Sequence, residues 1–188
     1  MKKFTFIISA ACLAAHCFAG PNAVLIEQTK TYAMLGETLS SKALAVSDGE
    51  NVRWQVLSPY KSVLIINKNG VFQFEEKNGA LCPIKNAAPE KTKQITRMIL
   101  NMISGDFSEF ESKTENGKIW LAPKDELVKK FAAKIEITLG GKTPVKAVVY
   151  EPDGDKTEML FSAKDIDKIA AKAAFDETKP ERFTPPKQ

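Results

Sequence analysis

The run Val63-Leu64-Ile65-Ile66, followed by Asn67-Lys68-Asn69-Gly70 and then Val71-Phe72-Gln73-Phe74, decides how the chain is read. Four consecutive large aliphatic residues put apolar groups on both sides of a strand, and such a strand must be covered on both sides. Asn67–Gly70 carries the chemistry of a tight hairpin turn. With a two- or four-residue loop, Ile65 and Val63 share a face with Phe72 and Phe74, while Leu64, Ile66 and Val71 take the other face with Gln73 and Glu75. A three-residue loop reverses that pairing.

Upstream, Val52, Trp54 and Val56 alternate with Arg53 and Gln55, which predicts a strand with one dry and one wet face. Ser47-Asp48-Gly49-Glu50 is a turn by its residue chemistry. Before it, Ala23–Tyr32 is β-prone, and Leu35–Ser40 turns into a second strand ending near Val46. Downstream, Glu76 to Pro89 reads as a polar linker with Asn78-Gly79 and two prolines. Glu90 to Ser104 follows as an amphipathic helix, with Ile95, Met98, Ile99, Met102 and Ile103 at helical spacing and Gly105 as its stop.

The second half returns to strands. Phe110–Thr114 and Lys118–Ala122 flank Glu115-Asn116-Gly117, a hairpin signal. Asp125 to Phe131 suggests a short helical turn. Ile135, Ile137 and Leu139 alternate, then Val145–Tyr150 and Thr157–Ser162 follow around Pro152-Asp153-Gly154-Asp155. Lys164 to Ala174 reads as a second short helix. Successive hairpins make an antiparallel meander. The sum is an α+β domain: one large antiparallel sheet, with too many strands to lie flat, and helices against one face.

The N-terminus has its own logic. Met1-Lys2-Lys3, an apolar stretch through Ala15 and small residues at Cys17 and Ala19 fit a secretory signal cut after Ala19. The domain then runs over residues 20–188. The apolar stretch is shorter than the ~20 residues needed to span a bilayer. Cleavage removes His16, the sole histidine, together with Cys12 and Cys17, and lowers the formal charge from +4 to +2 by loss of Lys2 and Lys3. A chain without histidine builds no Ser-His-Asp or Cys-His site and lacks the usual nitrogen ligands of zinc. Catalytic residues, metal and cofactor are accordingly expected to be none. Cys82, the one thiol left, closes no internal disulfide and reads as a small buried hydrophobe. Near-neutral charge gives no reason to expect nucleic acid.

In order and spacing, the chain resembles the periplasmic lipoprotein-carrier family, the LolA-like proteins. Ile26-Glu27-Gln28-Thr29 is similar to the family's early F-x-Q strand, with isoleucine for phenylalanine. Val52-Arg53-Trp54 is similar to its F-x-W strand, and Ser62 to Gly70 to the strand and turn that follow. Trp120-Leu121-Ala122-Pro123-Lys124 resembles a strand ending in L-x-P-K, and Phe183-Thr184-Pro185-Pro186 the F-x-P-P tail. The Ile95–Ile103 helix falls where the family has a helix over the barrel mouth. Two features depart from the pattern: the long helix before the first strand is missing, and Asp48-Gly49 stands where the family has an Arg-Pro turn. The shorter pattern looks more like divergent LolA-like proteins that accompany lipid or polyene export.

The resemblance implies a curled antiparallel sheet forming an unclosed half-barrel, with helices covering its concave face and acyl chains held between. It implies a periplasmic monomer with an acylated lipoprotein or lipid cargo, an inner-membrane donor and an outer-membrane acceptor. Candidate wall residues are Trp54, Val56, Val63, Ile65, Phe72 and Phe74, with Trp120, Leu121, Ile135 and Ile137 beyond them. Ile95, Met98, Ile99, Met102 and Ile103 are the candidate cover, in which the unbranched thioethers suit variable cargo. Lys129, Lys130 and Lys134 are placed to approach anionic headgroups or to form a solvated face. The alternative is a protein-binding or lipoprotein-sensing module of the same fold with no transport role.

Overall fold

The computed structural model describes residues 22–48, 50–84, 108–141, 143–166 and 173–183. Eleven strands form one antiparallel sheet. In chain order they are β1 (Asn22–Tyr32), β2 (Glu37–Ser47), β3 (Val52–Ser58), β4 (Ser62–Asn67), β5 (Gly70–Lys77), β6 (Ala80–Ile84), β7 (Phe110–Glu115), β8 (Lys118–Pro123), β9 (Lys134–Gly140), β10 (Thr143–Tyr150) and β11 (Lys156–Lys164). Two meanders, β1–β6 and β7–β11, are joined along the middle by β1 pairing with β11, and the spatial order is β6-β5-β4-β3-β2-β1-β11-β10-β9-β8-β7. Among the described residues the sheet is not closed, and β6 and β7 are its two edges.

Local chemistry fixes most of the hairpins. Asn78-Gly79 and Asn116-Gly117 each place both residues at positive φ (53° and 81°, 53° and 74°), the backbone that two-residue type I′ turns require. Asn78-Gly79 therefore starts a strand rather than a linker. Ala80–Ile84 pairs with β5, and Pro83 is tolerated because β6 is an edge. The Asn67–Gly70 turn is a two-residue loop, with Val63 opposite Phe74 and Ile65 opposite Phe72, as expected. The β7 edge is protected by charge, since Glu111, Lys113 and Glu115 stand along it exposed.

A four-residue helix, α1 (Glu126–Lys129), follows β8. Asp125 caps it by accepting from the amides of Leu127 and Val128, at 2.7 and 3.1 Å, and Val128 is buried. The predicted helix over Glu90–Ser104, with Ile95, Met98, Ile99, Met102 and Ile103, lies outside the described residues. The second predicted helix is corrected at its start, because β11 continues to Lys164; residues 173–174 are helical. Cys82 is half-buried on an edge strand rather than a core residue.

Strand alternation divides the core into three clusters. The largest lies on one face and runs through Val24, Ile26, Ala45, Trp54 and Leu64 in one direction and Met159, Ala147, Ile137 and Leu121 in the other. The back face holds two smaller clusters, both on the β1–β6 side. One joins Ala23, Leu44 and Val46 to Ala174 and Phe183. The other is Val63, Ile65 and Phe74, with Phe72 and Leu81 against it. Val63-Leu64-Ile65-Ile66 is buried at all four positions, so the strand is covered on both sides as its sequence demands.

Candidate functional site

The front face is the candidate binding surface, and strand register assembles it. Val24 lies opposite Ala45, Ala45 opposite Trp54, and Trp54 opposite Leu64, giving one apolar row across four strands. A second row runs from Met159 through Ala147 and Ile137 to Ile119. Val56, Val71, Ile119, Leu139 and Phe161 are only partly buried against this cluster and form its accessible margin.

One end of the face is polar. Gln28, Lys30 and Thr157 are buried on it. Lys30 Nζ donates to both carboxylate oxygens of Glu151 at 2.7 Å and lies 3.3 Å from Asp155 Oδ2, while Thr157 donates its hydroxyl to Glu151 at 3.1 Å. Burial opposes the Lys30 charge, but Glu151 and then Asp155 outweigh it, so its pKa is raised. Glu151, Asp153 and Asp155 bring carboxylate oxygens within 4.8 Å of one another. Their positive partner is the lysine of the same chain. The apolar row thus ends in a satisfied ion cluster rather than in a group seeking a ligand.

The predicted wall residues divide between the two faces. Trp54, Val56, Leu121, Ile135 and Ile137 meet on the front face. Val63, Ile65, Phe72 and Phe74 meet on the back. The three-residue connection Pro59-Tyr60-Lys61 pairs Trp54 with Leu64, and that register sends Ile65 to the opposite side from Trp54. Trp120 is also on the back. It stacks on Tyr150 with ring centroids 6.4 Å apart, and Lys134 Nζ lies 4.6 Å from each ring. Lys129 pairs with Glu126 at 2.7 Å, and Lys130 is exposed.

Two polar features were missed. Arg53 is not on a wet face; it is 1 % exposed. Its guanidinium donates to the carbonyls of Ala174 (3.1 Å) and Pro180 (2.8 Å) and to Gln55 Oε1 (3.0 Å), and sits 4.8 Å from the Phe183 ring. Burial lowers its pKa to about 10, which leaves it charged at neutral pH. Asn67 adds a bond to the carbonyl of Phe175, and Asn67 and Asn69 both hold Glu177 at 2.7 Å. Residues 173–183 therefore strap the back of β2–β4. Strand parity alone assigns Arg53 to water; the signal for its burial lies some 120 residues away. Parity does place Lys30 on the face of Ile26 and Gln28, and the acidic turn after β10 was its legible partner.

A family model described as outer membrane lipoprotein carrier protein LolA matches residues 26–178. No curated protein matches the sequence. Among solved structures, the chain is similar to a LolA superfamily protein of Nitrosomonas europaea, with 11% identity, a TM-score of 0.41, and coverage of 85% of this chain and 92% of that one. It is also similar to a putative outer membrane lipoprotein-sorting protein domain of Vibrio parahaemolyticus, with 10% identity, TM-score 0.42 and coverage of 93% and 95%. The lipoprotein LppX of Mycobacterium tuberculosis overlaps at 10% identity and TM-score 0.44, with 89% and 99% covered. These overlaps are distant; the match over residues 26–178 is what defines the family.

Proposed function

The chain belongs to the LolA family of outer membrane lipoprotein carriers, and from that premise we propose that it is a periplasmic carrier. It shelters the acyl chains of a lipoprotein, or of another lipid, against the front face of its open sheet and delivers them toward the outer membrane. The single observation that supports this reading is the front face itself, a continuous apolar layer contributed by both meanders, buried at its centre and only partly covered at Val56, Val71, Ile119, Leu139 and Phe161. Residues 1–19 serve as the export signal, and the domain takes cargo from an inner-membrane donor and passes it to an outer-membrane acceptor. No helix among the described residues is long and apolar enough to cross a membrane.

The energetics suit reversible carriage. Each buried methylene contributes about 0.8 kcal/mol, so a chain of about fifteen gives roughly 12 kcal/mol before ordering costs. A site that must release its cargo has to recover less than that. Val56 and Phe161 at the margin are the residues through which cargo reaches the buried row, and the Ile95–Ile103 stripe, with Met98 and Met102, is its adjustable cover.

Native mass spectrometry of the purified protein and titration with a fluorescent fatty-acid analogue test the reading together. Co-purified acyl species are expected, along with saturable probe binding. Phe161→Asp and Val56→Asp are expected to abolish probe binding in a protein that keeps its circular dichroism, whereas Leu160→Asp on the exposed back face is not. Unchanged probe binding in folded Phe161→Asp sinks the assignment of the front face. A tightly held protein partner with no acyl species moves the chain to the sensing alternative.

A further inference from the structure

Hairpin tips usually carry glycine, asparagine, aspartate or serine. The β1–β2 tip, Ala33-Met34-Leu35-Gly36, instead holds out two large apolar side chains, with Met34 92% and Leu35 69% exposed. The tip is braced. The amides of Leu35 and Gly36 both donate to the carbonyl of Tyr32, at 3.2 and 2.9 Å, and Gly36 takes the positive φ of 65° that closes the turn. The Ala33 amide donates to Asp155 Oδ1 at 3.0 Å, and Gly154 backs so closely that a Cβ on it would lie 3.3 Å from Ala33. Asp155 in turn is held by Lys30. A buried ion cluster thus props the tip in place, and Met34 and Leu35 point away from the sheet. The tip protrudes past its neighbour: β3 ends at Ser58, which pairs with Lys42, five residues short of the start of β2 at Glu37.

We propose that the Met34-Leu35 tip is a membrane-docking element that inserts into the interfacial layer of a lipid bilayer. The size of the patch selects the occupant. A few side chains on a protruding turn fall well short of the ~800 Å² per partner that a specific protein interface buries. A bilayer accepts a few apolar side chains one at a time at its interface. The tip itself carries no charged side chain, and the Lys30 ammonium offsets only part of the charge of Glu151, Asp153 and Asp155 behind it, so the apolar side chains rather than electrostatics carry the contact. Contact through the end of the sheet leaves the front face clear. Such docking is weak and quickly reversed, and it does not depend on the carrier reading.

The test is co-sedimentation of the purified protein with vesicles of phosphatidylethanolamine and phosphatidylglycerol. The double variant Met34→Ser/Leu35→Ser is expected to lose vesicle binding about tenfold or more, from the apolar area no longer buried. Its thermal midpoint and its binding of the fluorescent fatty-acid analogue in solution should be unchanged. The conservative exchange Met34→Leu/Leu35→Met should retain vesicle binding. Equal sedimentation of the wild type and the serine variant overturns the proposal, as does a wild type that ignores vesicles. Tip-dependent self-association in the ultracentrifuge, without vesicle binding, also overturns it. Vesicle binding that needs the tip in a protein with no affinity for the acyl probe upholds docking while removing the carrier reading.

Discussion

Strands β4 and β9 hold comparable positions on opposite sides of the sheet, and they solve the problem of the back face differently. In β4, Leu64 and Ile66 serve the front while Val63 and Ile65 are buried behind in a second hydrophobic cluster. In β9, Ile135 and Ile137 serve the front, and the back belongs to Lys134 and Glu136. Lys134 spreads over Trp120 and Tyr150, and Glu136 is held by Lys118 at 2.6 Å and by the Tyr150 hydroxyl at 3.2 Å. One half of the sheet is sealed by apolar packing and the 173–183 strap; the other is finished by polar groups that satisfy one another in contact with solvent. The front face needs both halves, but among the described residues only one is locked from behind by a strap.

The largest effect should come from Ile65, which has no exposure. Ile65→Ala is expected to cost about 2–5 kcal/mol as a cavity mutation, whereas Leu160→Ala on the exposed back should stay within about 0.5 kcal/mol. Urea melts of the pair measure the contrast, and equal losses erase it. Next is Arg53→Ala, which strands the carbonyls of Ala174 and Pro180. A loss of about 2–3 kcal/mol is expected, with faster amide exchange concentrated in 173–183 and not in β8–β10. Uniform acceleration across the sheet would show that the strap does not act locally.

Acid should then loosen the strap by a smaller amount. Glu177 is held below its ordinary pKa of 4.5 chiefly by its own backbone amide, with Asn69 and Asn67 adding to it. A depressed folded-state value means that its stabilisation is present above pH 4.5 and is lost as pH falls through the folded value. Exchange in 173–183 should therefore rise below about pH 4.5, and Glu177→Gln should flatten that rise. Smallest is Lys118→Ala on the single-covered half. Its ion pair with Glu136 is solvent-screened on the lysine side, and no shift in the urea midpoint beyond error is expected.

The two halves also differ in how much of them is legible in the residues alone. The Val63–Ile66 run announced two covered faces, and the Asn67–Gly70 turn gave the correct partners for Ile65 and Val63, because both are local consequences of period-two alternation. The placement of Trp54 with Ile65 failed one hairpin earlier. There the three-residue link pairs residues of like parity, and a change of one residue in a loop moves every side chain to the other face. The burial of Arg53 was illegible because it depends on a segment distant in sequence. Ala80–Ile84 was hidden as a linker by Pro83, which an edge strand accommodates and an interior strand does not.

The pairing of β1 with β11 joins residues as far apart as Ala23 and Lys164. Synthesis proceeds from the amino end, so the first strand waits for almost the last before the midline of the sheet can form. Contacts of such long separation close slowly. A polypeptide arranged this way can fold its first meander strand by strand, but the seam that unites its two halves is the last pairing it can make.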